Sequence, residues 1–168
     1  MKYIKNIIWI VVILGFSIIY SRYVPADSKP AFIVTAVIAS FFIFHFVIRK
    51  NPRFKSYFLS PFNFLSAKYA SKTSYDIPID LMFEKTLEVL DTTKFKLVHA
   101  DKERFEIFAI SPISWKSWGE NLYIDFTEEN GETIMNFHSV AVMQVQTWDK
   151  NQKNSEHLIN SIEDSLTI

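Results

Sequence analysis

Two long apolar stretches open the chain, and shorter segments alternating at strand and helix period follow them. Ala31 to Ile48 runs for eighteen residues without a formal charge, long enough as a helix to cross a membrane at about 1.5 Å per residue. It stops at Arg49, Lys50, Arg53 and Lys55. An earlier run, Ile7 to Tyr20, follows Lys2 and Lys5 and reads as a first span, with Trp9 and Tyr20 as interfacial anchors and Lys5 snorkelling to the surface. The other reading of that run is the apolar region of a cleaved signal peptide, although no A-x-A-like site follows it. Pro, Asp and Ser in Ser21 to Pro30 suit a short exposed connector, so residues 1–48 are predicted to form a two-helix transmembrane hairpin. Lys2, Lys5, Arg49, Lys50, Arg53 and Lys55 flank one side against Arg22 and Lys29 on the other, which predicts that both termini are cytoplasmic. His45 falls three residues from the basic end, at headgroup depth and without an acidic partner in either span, so an interfacial position is expected rather than a proton path.

Residues 49–72 form a basic, aromatic juxtamembrane segment, with six basic residues, no acid, and Phe54, Tyr57, Phe58, Phe62, Phe64 and Tyr69 between them. This mixture predicts a segment lying on the membrane, with Arg49, Lys50, Arg53, Lys55, Lys68 and Lys72 among anionic headgroups and the rings at the acyl boundary. The alternative is that the aromatics pack against the following domain. Pro52 and Pro61 exclude one continuous helix in either case.

From Thr73 onward the periodicity changes. Tyr75 and Ile77 read as a short strand stopped by Pro78, and Asp80 is placed to cap a helix reaching about Asp91 with Phe83, Leu87 and Leu90 on one face. Phe95, Leu97 and His99 alternate with polar or small residues. Asp101-Lys102-Glu103 then turns the chain into Arg104 to Ile110, where Phe105, Ile107 and Ala109 share a side. Leu122, Ile124 and Phe126 alternate with Tyr123, Asp125 and Thr127. Asn130-Gly131 supplies the positive φ angles of a hairpin turn into Thr133 to Val140. Asp149 stands where an N-cap should, with Gln152 as its capping-box partner, and the last helix presents Leu158, Ile162 and Leu166. The order βαββββα predicts an α+β domain over residues 73–168: a curved antiparallel sheet with two helices on one face.

That order resembles the TATA-binding-protein-like and helix-grip groups of folds, whose members cup ligands, lipids or partner proteins. The segments Trp115-Lys116-Ser117-Trp118-Gly119-Glu120-Asn121 and Trp148-Asp149-Lys150-Asn151 are similar to those of small bacterial membrane-anchored proteins of unknown function. The resemblance covers residues 73–166 and implies a fold, not an activity.

Charge changes the picture where composition alone does not. The formal net charge is zero, yet residues 1–75 carry ten Lys or Arg against the single acid Asp27, and residues 76–168 carry eight basic residues against seventeen acids. An acidic domain beyond a basic collar argues against nucleic acid as its partner and for anionic lipid at the collar. With no Cys, thiol chemistry and zinc–thiolate sites are excluded.

The candidate binding residues are Trp115, Trp118, Glu120, Asn121, Trp148 and Asn151. Paired indoles beside Gly119 bring large apolar area and one donor each, as an anchor for a protein partner or apolar ligand requires. The other reading is that both indoles fold back as lids over the core edge, and that Asn151 in a first helical turn is a cap or a solvated side chain. No H-x-x-x-H, H-E-x-x-H or G-x-S-x-G spacing occurs, so no catalytic residue, cofactor or metal site is expected, and His99 and His138 lack a third ligand. The expected function is a membrane-anchored cytosolic binding or adaptor module at the inner membrane surface. The alternatives are a small membrane-bound hydrolase with a dispersed active site, or an accessory subunit of a membrane complex.

Overall fold

The computed structural model describes residues 29–167 together with Ile18, Arg22 and Tyr23. The first predicted span therefore lies outside the described residues apart from Ile18, and one helix of the predicted hairpin is described. That helix, α1, runs over Lys29–Phe46. Among the described residues it is the one helix long and apolar enough to be a membrane span or a signal sequence, with a mean hydropathy of 2.2 over Phe32–Lys50. Within the predicted connector, Arg22 and Tyr23 are helical, and Lys29 and Pro30 already belong to α1. Pro30 is tolerated there because N–H groups of a first turn have no intrahelical partner to lose. His45 lies in the last turn of α1 and stacks on Phe41 at 5.9 Å.

The chain divides into two compact units, Met1–Ile48 and Arg49–Ile168. The second begins with two 3-10 turns, Ile48–Lys50 and Pro52–Phe54, the first straddling the division, and a five-residue helix α2, Lys55–Leu59. The predicted order βαββββα then follows: β1 (Lys68–Tyr75), α3 (Ile79–Thr92), β2 (Lys96–Asp101), β3 (Glu106–Ile110), β4 (Glu120–Glu129), β5 (Glu132–Ala141) and α4 (Lys150–Leu166). The strands form one antiparallel sheet in the order β1-β5-β4-β3-β2. Asn130 (φ 56°) and Gly131 (φ 87°) make the expected hairpin turn, with Glu129 opposite Glu132.

Alternation along the central strands sets what is buried. Ile107 and Ala109, Leu122, Ile124 and Phe126, and Met135 and Phe137 point to one face. There they join Met82, Phe83, Val89 and Leu90 of α3 and Leu158 and Ile162 of α4, so both helices cover the same face of an α+β domain. Each such large apolar side chain contributes about 1.5–3 kcal/mol of transfer free energy. On the opposite face Phe108 and Tyr123 stack at 4.8 Å, and Lys55 of α2 reaches Glu106 (3.0 Å) and Asp125 (3.7 Å).

Several local expectations are corrected. β1 starts at Lys68, not near Tyr75, because its alternation of polar residues with Tyr69 and Ala70 carries little apolar signal; it is held by pairing to β5 from Lys68↔Val140 to Tyr75↔Thr133. Residues 68–72 of the predicted juxtamembrane segment are therefore an edge strand. Leu97 is exposed, since the register shifts between Leu97 and His99 and the bulge breaks the alternation. Asp80 sits in the first turn of α3, whose N-cap is Pro78. Asp149 occupies the N-cap of α4 in left-handed geometry (φ 62°) without a side-chain cap, and Gln152 bonds Glu156 (2.8 Å) instead of closing a capping box.

A fragment beginning at Arg49 is expected to unfold cooperatively, and one beginning at Thr73 to lose its cooperative transition, because the latter lacks five residues of β1, Arg49 and the buried Phe58. Near-ultraviolet circular dichroism during heating checks this. Equal transitions for the two would show that residues 49–72 are not part of the fold.

Candidate functional site

Strand register places three connectors at one end of the sheet. Lys68 and Asn121 both pair with Val140, and Asn121 also pairs with Ile110, so the start of β1, the end of β3, the start of β4 and the end of β5 coincide. Residues 60–67, 111–119 and 142–149 therefore emerge together, and hydrogen bonds tie them. Ala67 N donates to the Gln144 carbonyl (2.8 Å), Ala141 N to the Ala67 carbonyl (2.9 Å) and Gln144 Nε2 to the Lys116 carbonyl (2.7 Å). Lys150 Nζ reaches Ser114 Oγ at 3.1 Å.

Between the start of β1 and the connector into α4 lies an open groove of about 530 Å³. Lys68, Tyr69, Lys116, Trp148, Asn151 and Lys153 contribute to its walls. Three non-glycine residues of its connector, Met143 (φ 53°), Trp148 (φ 48°) and Asp149 (φ 62°), adopt left-handed backbone. Such conformations cost of order 1 kcal/mol each and persist where surrounding contacts impose them, a pattern concentrated at binding sites.

Beneath the groove, the first half of α4 meets the sheet through polar groups. Glu120 is fully buried; one carboxylate oxygen accepts from Ser111 Oγ and from Asn154 Nδ2 (2.9 Å). Ser139 Oγ donates to Asn151 Oδ1 (2.8 Å), Asn151 Nδ2 to the Ala67 carbonyl (3.0 Å), and Ser71 and Ser155 hydroxyls share a bond at 2.7 Å. Asn151, Asn154, Ser155, Leu158 and Ile162 thus form one continuous buried stripe, polar at its start and apolar beyond.

Arg49 is the other buried charge, 3% exposed. Its Nη1 donates to the Trp118 carbonyl (3.1 Å), and its own carbonyl accepts from Asn121 Nδ2 (3.0 Å), which also donates to the Tyr123 hydroxyl (3.1 Å). Burial lowers the Arg49 pKa to about 10, against the opposing fields of Glu120 and Tyr123. A side chain at Gly119 (φ 94°) would put its Cβ 3.0 Å from Arg49 Nη1 and 3.0 Å from the Ser111 carbonyl, so glycine is needed here for both backbone and space.

The predicted binding residues therefore separate. Trp115 is 90% exposed with Lys116 Nζ 5.0 Å above its ring, Trp118 is exposed, and Trp148 lines the groove. Glu120 and Asn121 are buried and bonded internally, and Asn151 joins groove and interior. Of the predicted headgroup residues, Arg49 is spent inside the fold and Lys55 in its ion pairs with Glu106 and Asp125. Lys72 pairs with Glu129 (2.9 Å), Lys68 donates to the Ser60 carbonyl beside the groove, and Arg53 is exposed. Lys50 closes the first 3-10 turn. Sequence reasoning missed Lys153 and Tyr69 as groove residues, and Ser111, Ser139 and Asn154 as partners of the interior. The spacing of Asn151, Asn154 and Ser155 ahead of Leu158 was the signal for the last of these.

Convergent acid–base chemistry is sparse. A depression of about 40 Å³ brings together Lys55, His99, Glu106 and Tyr123, but that is room for about one water. His99 on β2 and His138 on β5 are separated by β3 and β4. Among the described residues no three His, Cys, Asp or Glu side chains group to hold a metal ion.

Burial pushes the Tyr123 hydroxyl up to about 12 from an ordinary 10.0, with the bond from Asn121 and the charge of Arg49 opposing. A raised folded-state pKa gives stability that is complete below pH 10 and lost as pH rises through about 12. Denaturant midpoints across that interval should fall, and fall less steeply in Tyr123→Phe; equal slopes would place the hydroxyl in water.

The sequence matches no family model and no curated protein. Solved structures are similar in arrangement. Ara h 8.0201 has 8% identity and a TM-score of 0.49 over 60% of this chain and 97% of its own. CalU16 from Micromonospora echinospora has 9% identity and a TM-score of 0.49 over 61% and 77%. TTHA0849 from Thermus thermophilus has 12% identity and a TM-score of 0.44 over 58% and 95%. Likeness at this level carries nothing about what this chain binds.

Proposed function

We propose that the protein is a membrane-anchored binding module, in which α1 holds the domain at the inner membrane surface and the groove beside β1 takes a ligand with an apolar body and a negative group. The observation that carries this reading is the convergence of Trp148 and Tyr69 with Lys68, Lys116 and Lys153 around one open groove of about 530 Å³. Aromatic faces supply apolar contact, and lysine ammonium groups supply charge where only Asp149 opposes them in the lining. The groove's lining holds one carboxylate, Asp149, the hydroxyls of Tyr69 and Thr147 and no imidazole, a set that favours binding over the hydrolase alternative. The cytoplasmic position of the domain rests on the basic residues that follow α1.

Anilinonaphthalene sulfonate, an apolar ring system bearing one anion, is the probe for this site. With the fragment from Arg49 it should bind with enhanced fluorescence. Trp148→Ala, and separately Lys116→Gln with Lys153→Gln, should each weaken binding about tenfold while leaving the melting temperature unchanged. Variants that bind the probe as tightly as the parent would remove the groove as its seat.

A further inference from the structure

We infer that the end of the domain formed by the three tied connectors rests in the lipid interface, as a second membrane contact beside α1. The inference deepens the proposed anchoring and rests on α1 spanning the bilayer. Its first support is the composition of that end. Phe62 and Phe64 are 87% and 79% exposed, Trp115 90%, Val145 69%, and Ile113 and Met143 about half. These six side chains come from all three connectors, so water faces apolar groups across one end of the sheet and not at a single loop.

The second support is covalent. Arg49 is the first residue of the domain, and its guanidinium and carbonyl are fixed at this same end by Trp118 and Asn121. Chain leaving a span at Ile48 must come into the domain here, whatever angle the helix adopts.

Charge is the third support. Lys68, Lys116, Lys150 and Lys153 lie at this end, where Glu120 is buried and Asp149 is the exposed acid among the connectors. The opposite end carries Glu128, Glu129 and Glu132 around the β4–β5 turn, while in the β2–β3 turn Lys102 and Arg104 balance Asp101 and Glu103. An anionic surface attracts the first and repels the second, so the domain's own charge orients the apolar connectors toward lipid. Rings at the acyl boundary with lysines beside them are the composition of an interfacial contact.

The natural absence of cysteine permits a direct test on the full-length protein in nanodiscs of phosphatidylcholine and phosphatidylglycerol. Single cysteines replace Val37, Phe64, Trp115 or Asn130, each carries a nitrobenzoxadiazole label, and lipids with a nitroxide near the headgroup or along the acyl chain quench it. Labels at Val37, Phe64 and Trp115 should lose fluorescence, and the label at Asn130 should not. Quenching at Val37 with Phe64 and Trp115 in water overturns the docking while leaving the anchor standing. Val37 in water overturns the anchor and the docking with it. Labels at Phe64 and Trp115 that are wet in nanodiscs but shielded in native membranes overturn lipid in favour of a protein partner.

Discussion

Burial of the Arg49 guanidinium against the Trp118 carbonyl is the contact on which the organisation of this chain depends. A charged group at 3% exposure is retained only where hydrogen bonds and opposing charge offset desolvation, and here the Trp118 carbonyl accepts the bond and Glu120 supplies the charge. The arrangement needs Gly119, whose missing side chain leaves room for the guanidinium, and it needs Asn121 to bond the Arg49 carbonyl. Its consequence is positional. The first residue of the domain is held at the end of the sheet where β3, β4 and β5 exchange their connectors, so the same end receives the chain, carries the groove and exposes the aromatic side chains.

The groove and the interior are two sides of one construction. Asn151 faces the groove and also bonds Ser139 and the Ala67 carbonyl, so the helix that walls the groove is fixed by polar contacts to β5 and to the chain before β1. Further along α4, Leu158 and Ile162 take over with apolar packing. Hydrogen bonds are directional and apolar contacts are not, so the polar half sets the position of α4 beside the groove while Leu158 and Ile162 supply its apolar burial. The left-handed backbone at Trp148 and Asp149 directly precedes that helix and aims the indole into the groove wall.

How much of this the sequence discloses follows from the kind of signal each element carries. The β4–β5 hairpin was legible because Leu122, Ile124 and Phe126 alternate strictly and Asn130-Gly131 meets a backbone demand few residues can satisfy. The βαββββα order and the apolar helix from Lys29 were legible for similar reasons of period and length. β1 was hidden because Lys68, Lys72 and Ser74 face solvent on an edge strand, whose identity comes from pairing with β5 and not from its own pattern. Arg49 was grouped with headgroup lysines because position after an apolar run is the dominant signal there, and the glycine that accommodates it lies seventy residues away. Glu120 was grouped with the binding residues because the partners that bury it, Ser111 and Asn154, lie nine and thirty-four residues away. Trp115 and Trp118, two readings of which stood open, are exposed.

The central claim is that Arg49 belongs to the domain's interior and fixes the end at which the chain comes in. Unfolding of Arg49→Ala by denaturant, compared with Arg53→Ala as an exposed basic neighbour, measures it most directly. The account predicts a loss of about 2 kcal/mol or more for Arg49, from the abandoned Trp118 carbonyl and lost packing, and less than about 0.5 kcal/mol for Arg53. Equal small losses at both positions would put the Arg49 side chain in solvent or among headgroups and contradict it.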